Sequence, residues 1–333
     1  MNRQTFLKGL AGIAAALMLT AAPLGVGAGA AQAAEWDMPT PYPDKTFHTV
    51  NIQQFADEVR EATGGEVDIT VHSAGSLIKH PEIKNAVRSG QVQAGEFFMS
   101  LIENENPVFG LDSQPFLASS YEDAEKLWEA QKPVITEALA RQNLVPLFSV
   151  PWPAQGLYTK EEVDSVDDMK GLKLRAYNAA LEEFANLAGA APTQVEVPDI
   201  PQAFSTGQVE AMITSPSTGA NSAAWDYVGV YTPIDAWLPK NVVVVNKDVF
   251  DALDEATRTA ITEAAAAAET RGWEMSRAEA GEMTKMLADN GMTIAEPSAE
   301  LMDGLRAIGQ QMQENAAANA TPESTAVTDA FNG

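Results

Sequence analysis

The chain contains no cysteine, only three histidines (His48, His72 and His80), and 21 lysines and arginines against 46 aspartates and glutamates. Without cysteine there is no disulfide framework, no thiolate nucleophile and no cysteine-based metal site. No H-E-x-x-H spacing joins the histidines, so a helix-borne zinc site is not encoded. A Ser–His–Asp triad would have to recruit one isolated histidine, and "SAGSL" (73–77) is not a nucleophile elbow. A phosphate-cradling glycine loop is missing beyond the first 33 residues. The acids could pair in many ways, and none is singled out by spacing. Catalysis therefore has no positive signature, and neither a metal nor a cofactor is expected. A formal net charge of −25 opposes binding of nucleic acid or anionic lipid. It leaves room for a local basic site.

The first 33 residues read as a secretory signal peptide. "MNRQTFLK" supplies a basic start through Arg3 and Lys8, "GLAGIAAALMLTAA" an apolar stretch, and "AQA" (31–33) a small-x-small cleavage site. No other stretch approaches the roughly 18 apolar residues needed to span a bilayer. Removing the leader leaves residues 34–333, with 19 basic residues against 46 acidic and a net charge of −27. That length suits two domains or one large one, and it can bury a core without disulfides.

Short β-rich runs alternate with helical patterns along the mature chain, the signature of an α/β fold. Helices are expected over 55–65, 81–90, 121–142, 178–189, 198–208 and 222–228. Pro133 marks a kink or break in the third of these. Strands are expected at "VDITVHS", "VQAGEFF", "LVPLFSV", "GLYTK", "LKLRAY", "TQVEV", "VEAMIT" and "NVVVVNK". The stretch from Asp251 to about Asn290 reads as one long helix or two abutting ones. The polar tail, 314–333, reads as loosely held.

One strand poses a chemical question. "MKGLKLRAYNA" (169–179) runs an apolar segment straight into Arg175. A buried guanidinium is costly unless an anion or a dense hydrogen-bond network meets it. Arg175 is either a solvated strand-end residue or a ligand-binding one, while Lys173 is expected to be solvated.

Four segments taken in order, "EVREATGGEVDITVHSAGSL", "EIKNAVRSGQVQAGE", "DDMKGLKLRAYNA" and "FSTGQVEAM", resemble the DctP-type substrate-binding proteins of the tripartite ATP-independent periplasmic (TRAP) transporters. The likeness covers nearly the whole mature chain. It implies a two-domain α/β periplasmic binding protein with a ligand cleft between the domains and a long helix spanning both. Approximate boundaries are 34–152 with 241–280 for the first domain and 153–240 with 281–333 for the second. It also implies a periplasmic, monomeric protein that passes a small organic acid to ion-gradient-driven TRAP permease subunits.

In that family the arginine ending the "GLKLR" strand meets a ligand carboxylate, which assigns this role to Arg175. A planar guanidinium can give a carboxylate two parallel hydrogen bonds, as lysine cannot. Asn178 falls where relatives place a polar group against the same carboxylate. It is equally suited to cap the following helix, and both roles can hold at once. Where some relatives carry a second basic residue, this chain has Gln155, which argues against clamping a second carboxylate. Thr214 and Ser215 replace an asparagine common in relatives. Trp152 and Phe47 are expected at the cleft, with Phe97 at a strand end and His48 as the histidine best placed for ligand. Phe98 and Trp225 are expected in the core, and His72 and His80 at the surface or in caps. The expected ligand is a monocarboxylate with an aromatic, aliphatic or zwitterionic body. The competing readings are a binding protein serving an ATP-driven importer or a sensor, and an exported α/β enzyme.

Overall fold

The computed structural model describes residues 33–333. The expected leader, apart from Ala33, lies outside the described residues. Two groups of strands organise the chain. The first comprises β1 (Ala34–Pro39), β2 (Val67–His72), β3 (Ala94–Phe98), β4 (Leu144–Pro151) and, returning from far downstream, β10 (Lys240–Asn246). The second comprises β5 (Gly156–Thr159), β6 (Lys173–Ala176), β7 (Ala191–Gln194), β8 (Ala211–Thr214), β9 (Val230–Thr232) and β11 (Thr293–Ile294).

In the first group β1 and β2 pair in parallel, and β10 lies antiparallel between β3 and β4. The run "VVVV" explains why β10 is central. Val242 and Val244 enter one apolar cluster, while Val243 and Val245 enter another on the opposite face. A strand with period 2 and four consecutive branched residues suits a sheet covered on both sides. The second group is one six-stranded sheet ordered β11-β9-β5-β8-β6-β7. Its alternation is equally plain: Leu157 and Ile213 face one cluster, and Tyr158 and Met212 the other.

The helices are α1 (Phe47–Ala62), α2 (Ile83–Arg88), α3 (Tyr121–Ala140), α4 (Ala179–Leu187), α5 (Ile200–Ser205), α6 (Pro216–Asn221), α7 (Lys247–Asp251), α8 (Glu255–Asp289), α9 (Ala299–Ala318) and α10 (Pro322–Asn332). With 35 residues, α8 is the long helix implied by the resemblance. Ile261, Ala264, Ala265 and Ala268 on its first half pack beside α1 residues in the first group's core. Leu287 near its far end joins the second sheet's core. Gly272 permits the close crossing, because a Cβ there would sit 2.3 Å from Val150 Cγ2.

Several local expectations need correction. Phe47 and His48 do not precede the first helix; they begin it, after Thr46. Helix α3 runs unbroken through Pro133. Only a short 3-10 turn, Ala224–Asp226, occupies the expected helix at 222–228. The neighbouring "SPSTG" instead forms α6, with Ser215 as its N-cap and Pro216 at its first position, an arrangement that favours a helix start. The polar tail is helical as well. Val327 and Phe331 of α10 bury against the cluster containing Leu127 and Trp128 of α3.

Candidate functional site

The chain crosses between the two strand groups at 152–155 and again at 233–239, and the crossings pair with each other. Trp152 N donates to Pro239 O (2.8 Å), Gln155 N to Trp237 O (3.1 Å) and Ala236 N to Gln155 O (3.2 Å). Beside them lies a cavity with about 400 Å³ of space between atoms, of which about 40 Å³ admits the centre of a water-sized sphere. Tyr42, His80, Phe98, Trp152 and Pro239 wall one side, and Arg175, Tyr177, Glu196 and Thr214 belong to the other.

Arg175 sits on β6, beside the edge strand of the second sheet, opposite Thr193 on β7 and Met212 on β8. It is only 1% exposed. Its Nε donates to Val195 O at 2.9 Å, and its guanidinium lies 5.1 Å from the Tyr177 ring centroid. Nη1 has no hydrogen-bond partner among the described residues. Burial holds the guanidinium's pKa below its ordinary value, and Tyr177 and Glu196 offset this only in part; an arginine stays charged under such conditions. The solvated alternative for Arg175 is therefore excluded.

Gln155 lines the cavity, but its amide is already engaged. Nε2 donates to Pro153 O (2.8 Å), and Oε1 accepts from Tyr177 OH (3.1 Å), which itself accepts from Trp237 Nε1 (3.0 Å). The chain of bonds fixes the Tyr177 ring against Arg175. Tyr42 OH and Trp152 Nε1 both donate to Asn241 Oδ1, at 3.2 and 3.1 Å. With their polar atoms so engaged, these rings offer apolar surface to the cavity. Thr214, Ser215 and Thr218 add hydroxyls along another wall. Ser215 is also the α6 cap, its Oγ accepting from Thr218 N at 3.1 Å.

Other expected site residues lie elsewhere. Phe97 is a correction: strand alternation sends it into the core with Val242 and Val244, while Phe98, buried in the other core cluster as expected, also borders the cavity. Phe47 and His48 stand beside Trp152, with ring centroids 5.5 and 4.3 Å from it, and do not line the cavity. His48 Nδ1 lies 3.2 Å from Glu96 Oε1 in a buried network with Thr40 and Asn241. Burial pushes the Glu96 carboxyl up, but those hydrogen bonds and His48 outweigh it and hold it below its ordinary value. Asn178 takes its capping role, with Oδ1 accepting from Leu181 N (2.9 Å), and its Nδ2 donates to Ser100 Oγ (2.8 Å). Both halves of its amide are used away from the cavity.

Sequence reasoning missed His80 and Glu196. They lie 116 residues apart, and Nδ1 of one meets Oε2 of the other at 3.1 Å on the cavity wall. The one local hint was Glu196 at the end of an expected strand two positions beyond Gln194. The expectation of a surface or capping role for His80 is corrected by its place at the cavity.

Residues 40–319 match the bacterial extracellular solute-binding proteins, family 7 (DctP). The chain belongs to this family. The receptor shares 44% identity and a TM-score of 0.89 with DctP7 of Bordetella pertussis, an extracytoplasmic solute receptor binding pyroglutamic acid, over 90% of this chain and 100% of that one. It shares 41% identity and a TM-score of 0.88 with a marine-metagenome TRAP solute-binding protein specific for pyroglutamate, over 90% and 99% of the two chains. A solute-binding protein of Chromohalobacter salexigens is 28% identical over 250 residues, 73% of this chain and 74% of that one. The DctP-family receptor thus has the α/β architecture of the TRAP extracytoplasmic solute receptors, which bind substrates.

Proposed function

We propose that this receptor captures pyroglutamate, or a compact monocarboxylate much like it, and delivers it to an ion-gradient-driven TRAP permease. The observation that carries the reading is Arg175: a fully buried guanidinium whose Nη1 has no hydrogen-bond partner among the described residues, in the wall of a small cavity. A ligand carboxylate supplies the anion that such a group requires. Thr214 and Ser215 border the same space with hydroxyls, and Trp152 borders it with its ring. Likeness to two pyroglutamate receptors at 41% and 44% identity supports the ligand class.

Among the described residues, Arg175 is the only lysine or arginine that lines the cavity. Gln155 is neutral and committed to Tyr177 and Pro153. A second carboxylate would therefore find no cation, which favours a monocarboxylate. In this reading the two strand groups are the cores of two lobes that close on the ligand, and the protein acts as a periplasmic monomer without turnover.

Calorimetric titration of refolded, ligand-free receptor with L-pyroglutamate tests the reading, run beside Arg175→Ala. Saturable binding in the wild type that is lost in the variant is expected. Binding that persists undiminished in Arg175→Ala, or a wild type that takes up only dicarboxylates, would overturn it.

A further inference from the structure

We infer that Glu196, oriented by His80, makes this site selective for acids that carry an N–H donor beside the carboxylate, rejecting dicarboxylates and oxygen isosteres. The inference rests on the reading of Arg175 as the carboxylate clamp and narrows it to a substrate class.

Glu196 lines the same cavity as Arg175. Its Oε2 is held by His80 Nδ1 at 3.1 Å, and no other hydrogen bond to its side chain occurs among the described residues. Oε1 is therefore an acceptor with capacity to spare. The His80 ring has a defined role, because its Nε2 lies 3.1 Å from the Phe98 backbone N–H and must accept from it. The ring proton consequently sits on Nδ1 and is donated to Glu196. A main-chain donor on β3 thus selects the tautomer that points the Glu196 carboxylate. Burial pushes that carboxyl up, but His80 and Arg175 outweigh it and keep the group below its ordinary value, hence ionised at neutral pH.

The cavity therefore presents one fixed cation and one fixed anion between aromatic walls. An ionised carboxylate accepts hydrogen bonds and donates none. A ligand atom facing Glu196 is favoured when it carries a proton, as a lactam or amine nitrogen does. A ring oxygen or a second carboxylate there sets lone pairs or negative charge against it. Sites built around a specific hydrogen bond reject analogues that lack it far more strongly than apolar pockets reject a missing methylene.

The decisive probe is a pair of rings differing in one atom: L-pyroglutamate and 5-oxotetrahydrofuran-2-carboxylate, in which oxygen replaces N–H. Titration calorimetry on the mature receptor should show the lactam bound at least about 50-fold more tightly than the lactone, with glutarate undetected. Glu196→Gln should weaken the lactam at least tenfold while the lactone stays within about threefold, collapsing the ratio. Retained lactone binding also shows that the variant is folded. His80→Phe, which removes the orienting bond, should lower the ratio by a smaller factor. A wild type that binds both rings within threefold, or a ratio unchanged in Glu196→Gln, overturns the selectivity. If both rings bind equally and Arg175→Ala abolishes both, the carboxylate clamp survives and the role of Glu196 does not. Binding of neither ring overturns the proposed ligand and this inference together.

Discussion

Asn178 Nδ2 donates to Ser100 Oγ across 2.8 Å, joining the start of α4 in the second strand group to the segment leaving β3 in the first. The other half of the same amide caps α4 through Leu181 N. One side chain three residues from Arg175 therefore begins a helix and bridges the two strand groups.

Asn178→Ala should cost about 1–2 kcal/mol of stability through the lost cap. Asn178→Asp keeps a cap acceptor and loses only the donor to Ser100, so it should cost less, about 0.5–1.5 kcal/mol. Urea unfolding of both variants separates the contributions. Equal losses would mean that the bridge, not the cap, carries the effect.

Arg175→Lys is expected to fail nearly as badly as Arg175→Ala. Lysine keeps the charge but lacks the fork that satisfies Val195 O and a carboxylate together. Truncating one partner of a buried charged pair costs about 2–5 kcal/mol, or roughly 30-fold to several-thousand-fold in ligand affinity. Calorimetry with L-pyroglutamate reads this directly, and a lysine variant within threefold of wild type would refute the bidentate geometry.

Glu103 supplies a pH test. Burial, with Asp112 and Glu183 nearby, pushes its carboxyl from the ordinary 4.5 up to about 7. The folded protein thus holds this proton more tightly than the unfolded chain. Its contribution to stability falls as pH rises from 4.5 to 7, and the penalty is complete above 7. Glu103→Gln should therefore stabilise the receptor by about 1–2 kcal/mol at pH 8, a figure discounted for partial exposure, and leave it unchanged at pH 4. Thermal melts at the two pH values check the sign. An equal gain at both would show that the effect is not electrostatic.

Phe331→Ala should remove about 3 kcal/mol, because the ring fills the first group's core from the last helix. A loosely held tail would lose nothing. Guanidinium unfolding of the variant distinguishes the two, and a midpoint matching the wild type would return α10 to the surface.

Much of this molecule is legible in its sequence because the signals are local. The valine run of β10 requires a strand covered on both faces, and the long Ala- and Glu-rich stretch without proline becomes α8. The segment ending at Arg175 reads as a strand for the same reason, and the buried charge there calls for an anion. Asn178 before an Ala- and Leu-rich run reads as a cap. The start of α6 is written locally too, in a serine followed by proline.

Sequence alone marks most of the strands and the long helix, and it places a guanidinium near the end of β6 with no acidic neighbour in sequence to neutralise it. Tertiary structure decides what shares the cavity with it. Phe98, and not Phe97, faces that space because pairing with Asn241 sets the parity of β3. His80 and Glu196 meet only because two separate strand groups bring residues 116 positions apart to one wall. Periodicity is written within each segment, whereas register and juxtaposition depend on how distant segments pack, and no local pattern encodes them.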